Sequence, residues 1–214
     1  QDLESALQWA RDLEPGDQQR ATQSVLRLVA EHNPSEAASI YQDIAAELPQ
    51  DGPISREYRH MAQEVARVWS SSSPVDAAQW ALSLPERGSI QRGAVGDVTE
   101  QWMRIDSMAA GEWIRSLPAG ETRDSASERV VHMTTNSDPG AAFAWAQSLS
   151  QDHRRFGLMH HTLTEWSSVD RPAAQQALSS ADLPPEIRQR FGEEFGLSPS
   201  PQPQSSQEGT PESR

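Results

Sequence analysis

The chain has 214 residues, 36% of them hydrophobic, a net charge of −13 and no cysteine. Its 18 basic residues are all Arg and face 31 acidic ones, so binding to phosphate-rich nucleic acid or an anionic membrane surface is not expected. Without Cys there are no disulfides, thiol nucleophiles or Cys-based zinc centres, and no run approaches the ~18 apolar residues of a membrane span.

So low an apolar content suits an elongated fold with a thin continuous core better than one large spherical core. The elements, taken in chain order, repeat. Asp2 stands seven residues before Trp9, and Leu13 follows four residues later, with Pro15 and Gly16 beyond. Asn33 opens the second unit and leads to Ile40 at the Trp position, and an insertion near Glu47 to Ser55 lengthens this unit. Its second helix is expected near Ser55 to Ser70, with Tyr58, Met61, Val65 and Trp69 on one stripe.

Ser73 leads to Trp80 and Leu84, and a second helix is predicted from about Ser89 to Ile105, striped by Ile90, Ala94, Val98 and Trp102. Asp106 leads to Trp113 and Leu117, and Asp138 leads to Trp145 and Leu149. The helix after Trp145 is expected from about Asp152 to Ser168, with Phe156, Met159, Leu163 and Trp166. Asp170 opens a degenerate last unit with Ala177 in place of Trp. Its first helix is expected over Arg171 to Ser180, and its second carries Ile187, Phe191 and Phe195, interrupted by Gly192. From Ser198 to Arg214 the chain is Pro, Ser, Gln and Glu with no apolar side chain, a composition expected of a disordered tail or linker.

Each recurring position has a physical reason. The Asp, Asn and Ser residues are N-caps, whose side-chain oxygens accept free backbone N–H groups of the first turn. Pro34, Pro74 and Pro139 follow as first helical residues, where the missing N–H costs nothing. Ala pairs such as Ala77-Ala78 and Ala141-Ala142 let neighbouring helices approach closely. Pro and Gly then make short turns. The caps are 31, 40, 33, 32 and 32 residues apart, and all seven Trp fall on two repeat positions. Trp9, Trp80, Trp113 and Trp145 hold the first, and Trp69, Trp102 and Trp166 the second; all are expected in the repeat core. The fold class is therefore all-α, about six αα-hairpin repeats of roughly 32 residues over residues 1–197, with 198–214 as tail.

The hairpin size and stacking resemble tetratricopeptide-type and related bacterial helical repeats over Asp2 to Leu197. The sequence differs from the tetratricopeptide pattern in carrying Trp-x-x-x-Leu, usually with Pro next, rather than Trp, Leu-Gly and Tyr. What the resemblance implies is a right-handed superhelix that grips proteins or peptides in its groove.

Candidate chemistry is sparse. His160 and His161 are adjacent and point about 100° apart on a helix, so they do not chelate one ion; His153 and His160 share a face, and His161 and Glu165 are spaced i,i+4. The carboxylate pairs Glu193-Glu194, Asp97/Glu100 and Asp12/Glu14 are expected on solvated helix faces, with no member's pKa raised. No motif points to a catalytic, metal or cofactor site. Arg20, Arg56, Arg92, Arg123, Arg155 and Arg188 stand near the starts of second helices, where a cation opposes the helix dipole. They read either as salt-bridged to nearby acids or as a ladder that binds a partner's carboxylates. The functional expectation is a non-enzymatic scaffold for a protein or peptide, with a basic one favoured by the acidic charge, with no cofactor and no membrane insertion. The alternatives are a helical-toroid enzyme fragment acting on envelope polysaccharide, or a spacer of a membrane-anchored envelope protein. No signal peptide heads the sequence. The initial Gln1 and linker-like tail incline the expected location to the periplasm or another extracytoplasmic site.

Overall fold

A computed structural model describes residues 2–47 and 54–196. Among these the protein is all-α, with twelve α-helices and one short 3₁₀ turn, Arg87–Ser89. The helices are α1 Asp2–Arg11, α2 Pro15–His32, α3 Pro34–Ala46, α4 Arg56–Ser70, α5 Pro74–Ser83 and α6 Ile90–Ile105. They continue as α7 Ser107–Ser116, α8 Glu121–Thr134, α9 Pro139–Gln147, α10 Asp152–Val169, α11 Arg171–Ser180 and α12 Pro185–Glu194. Each odd-numbered helix packs on the even-numbered helix that follows it. The expected insertion falls largely on residues 48–53, and the expected tail on 198–214; both lie outside the described residues.

The caps explain where the first helices start. Asn33 accepts from the Glu36 N–H at 3.3 Å, Asp138 from Ala141 at 2.9 Å and Asp170 from Ala173 at 3.0 Å. Asp106 accepts from both Met108 and Ala109. Ser73 occupies the same backbone position, but its hydroxyl makes no capping bond. Gly192 does not break the last helix; it lies inside α12 and is buried.

Packing divides the helices into two kinds. The second helices α2, α4, α6 and α8 pack directly on one another in sequence, while α3, α5 and α7 lie chiefly against the second helices beside them. Val65 and Val98 of the expected stripes, and Val130 at the same repeat position on α8, are each 0% exposed. At α8 the core changes hands. Val130 belongs to an apolar cluster that runs back to Leu26, and the next residue, Val131, to a cluster that runs on to Phe191. Beyond α8 the direct stacking of second helices weakens, and α9 packs tightly against both α8 and α10.

The seven Trp do not share one fate. Trp80 and Trp102 are buried, and Trp69, Trp113, Trp145 and Trp166 are half-buried against the core. Trp9, expected in the core, is 59% exposed. It occupies the same repeat position as Trp80 and Trp113, each of which packs on the second-helix Trp before it. Trp69 and Trp80 lie 6.1 Å apart, and Trp102 and Trp113 stack at 5.4 Å. No described helix supplies such a neighbour for Trp9.

Candidate functional site

The second helices bury one stripe and turn the opposite one outward. Counting back five residues from Trp69, Trp102, Thr134 and Trp166 gives Glu64, Asp97, Arg129 and His161; counting back two gives Arg67, Glu100, His132 and Thr164. Residues three apart share a helix face, so these positions form a polar band that crosses from helix to helix.

The band is linked by contacts. Arg129 on α8 donates to Glu100 at 3.2 Å and lies 3.9 Å from Asp97, both on α6. Arg104 also donates to Glu100, and Arg67 pairs with Glu64 on α4. Further along, Arg154 on α10 pairs with Glu128 on α8, and the His132 and His161 rings lie 5.6 Å apart. Two glycines of α6 make the crossings possible. A Cβ on Gly96 would stand 3.3 Å from the Arg129 guanidinium, and one on Gly93 3.0 Å from the Gln63 amide nitrogen.

Asp97 sits at the centre, with its side chain only 19% exposed. Burial pushes its pKa up to about 6 from the usual 3.8, and neighbouring Glu100 adds to the rise. Arg129, a hydrogen bond from Gln63 and the more distant Arg67 oppose it without cancelling it. The sequence expectation of a solvated pair with neither pKa raised is thus corrected. The period showed Asp97 and Glu100 on one face, but not that α4 and α8 flank that face and exclude water. The other two pairs, Asp12/Glu14 and Glu193-Glu194, are exposed.

The six Arg residues are not brought into one ladder. Arg20 pairs with Asp17 in solvent, and Arg56 donates to His60. Arg92 pairs with Glu121 and donates to the Ser89 hydroxyl. Arg123 and Arg155 converge on the end of α9, donating to the carbonyls of Ser148 and Leu149 at 3.5 and 3.4 Å; Arg155 also pairs with Asp152. Arg188 donates to the carbonyls of Ala181 and Leu183. The reason is geometric. In an antiparallel hairpin the start of the second helix lies beside the end of the first, whose carbonyls carry the negative end of a dipole.

Two buried polar residues were not singled out by the sequence. Asp124 on α8 is 0% exposed and accepts from the Ser150 and Gln151 N–H groups and the Ser150 hydroxyl, holding the turn between α9 and α10. Gln91 on α6 donates to the carbonyls of Leu82 and Leu84 and accepts from Thr122 on α8. Both link positions seven or more residues apart, and Asp124 and Thr122 reach between repeats.

His160 pairs with Glu194 at 2.7 Å and rests against Phe195, a hairpin-to-hairpin contact, while His161 points to His132. Among the described residues no group of three His, Asp or Glu is placed to hold a metal ion, and no helix is long and apolar enough to cross a membrane. Compared with known family models, curated proteins and solved structures, the chain matches none.

Proposed function

We propose that the protein is a non-enzymatic, tetratricopeptide-like helical-repeat scaffold that binds a basic protein segment along the polar band of its second helices. The observation that carries this reading is the state of Asp97. It is a largely buried carboxylate whose nearest cation, Arg129, stands at 3.9 Å, on a helix where Gly93 and Gly96 lie against the Gln63 and Arg129 side chains. A buried charge without close compensation is costly. A further guanidinium or ammonium group from a partner, added beside Asp97 and Glu100 to the one Arg129 supplies, relieves that cost. The net charge of −13 steers a basic partner toward the molecule.

The test is affinity capture from extract of the source cell at low and moderate salt, with the chain and its Asp97→Asn/Glu100→Gln variant side by side. The reading expects one specific protein, retained by the parent chain, weakened by salt and lost with the variant. Equal retention on both, or no retained protein at either salt, counts against it.

A further inference from the structure

The polar band gathers a carboxyl and two imidazoles, side chains whose charge follows pH, and the fold strings them together. Asp97 on α6 stands 3.9 Å from Arg129 on α8. One turn beyond Arg129 comes His132, whose ring lies 5.6 Å from that of His161 on α10. Around Asp97 stand Glu100 on its own helix, Arg129 from α8, and Gln63 and the more distant Arg67 from α4. Around the imidazoles stand Glu128, 3.7 Å from His132, and Arg154 on α10, which pairs with the same Glu128. Glu165 follows His161 by one turn. Among the described residues no ion pair reaches these three groups from α5, α7, α9 or α11, the first helices packed beside them.

We infer, resting on the reading of the band as the docking face for a basic segment, that this face is released by acid: protons taken up by Asp97, His132 and His161 turn it positive and expel the segment. At neutral pH four carboxylates of the band, Glu64, Asp97, Glu100 and Glu128, face four guanidiniums, Arg67, Arg104, Arg129 and Arg154. Burial leaves the Asp97 carboxyl half protonated at about pH 6, so one negative charge is lost as pH falls through that value. Imidazole is the side chain that takes on charge between about pH 5 and 8. Each proton therefore moves the band in the same direction, and the three together leave the guanidiniums and two imidazoliums in excess over the carboxylates. The placement strengthens the effect. Asp97 gives up its charge where an incoming cation would sit, and the His pair gains charge one joint further along the band. A basic segment lying across α6, α8 and α10 thus loses its attraction at one place and meets repulsion at the next.

The test follows binding of a fluorescent octa-arginine peptide to the full chain by anisotropy, at pH 7.5 and pH 5.5 and one low ionic strength. The parent chain is expected to bind at pH 7.5 and at least about tenfold more weakly at pH 5.5. The His132→Gln/His161→Gln variant should lose no more than about threefold between the two pH values. The His32→Gln/His153→Gln variant, which removes two exposed imidazoles away from the band, should lose as much as the parent. Affinity unchanged between the two pH values, or a fall as large in His132→Gln/His161→Gln as in the parent, overturns the inference and leaves the docking face standing. The docking face fails by a different result: no binding at pH 7.5, or binding there that Asp97→Asn/Glu100→Gln does not weaken, overturns that reading and acid release with it.

Discussion

Thr162 occupies the position held by Val65, Val98 and Val130, is 0% exposed, and its hydroxyl has no hydrogen-bond partner. A buried unpaired hydroxyl costs about 1–3 kcal/mol, so Thr162→Val is expected to stabilise by about 1 kcal/mol, read as a rise of roughly 2–4 °C in melting temperature. Asp124 is the opposite case, a buried carboxylate with three donors. Asp124→Ala strips those donors and should cost about 2–3 kcal/mol, with the loss localised to the α9–α10 turn by hydrogen exchange. Asp97 gives a pH dependence with a definite sign. Its folded pKa of about 6 lies above the ordinary 3.8, so the folded state holds the proton more tightly. Its contribution to stability is therefore fully present below the ordinary value and is lost as pH rises through about 6. Asp97→Asn should flatten denaturation midpoints between about pH 4 and 7 and raise them at neutral pH, by on the order of 1–2 kcal/mol. An unchanged pH profile would show that burial does not perturb this carboxyl.

At the scale of single helices, the local chemistry was readable because it is local. Cap, Pro, Ala pair and Trp-x-x-x-Leu all act within one or two turns, and α11 begins and ends where its residues predict. The caps can be separated by their bonds. Asp138→Ala and Asp170→Ala should each cost about 1 kcal/mol. Ser73→Ala should cost almost nothing, since that hydroxyl caps no N–H group. Matching melts for Ser73→Ala and Asp138→Ala would contradict the observed difference. What the sequence did not show was set by neighbours from other repeats. Asp124 reaches the turn after α9, Gln91 meets Thr122, and Asp97 lies under Arg129; no periodicity within one helix encodes such meetings. The partners of the Arg residues depend on neighbours in the same way. Their nearness to helix starts was correct, but they differ in register: Arg20, Arg92 and Arg155 pair with acids, Arg123, Arg155 and Arg188 reach carbonyls, and Arg56 donates to His60.

Across the whole molecule, burial depends on place in the stack as much as on residue type. Identical positions give a core Trp at Trp80 and an exposed one at Trp9, so the repeat pattern identifies which residues form joints but not which joints are filled. The most direct measurement compares thermal melts of Val98→Asp and Val25→Asp. These replace equivalent valines, one fully buried on α6 and the other half-buried on α2. If second helix packed on second helix is what holds the array together, Val98→Asp destroys the cooperative transition, because a charge is forced into a dry joint, and Val25→Asp leaves it within a few degrees. Equal losses at the two sites would contradict the stacked-repeat account.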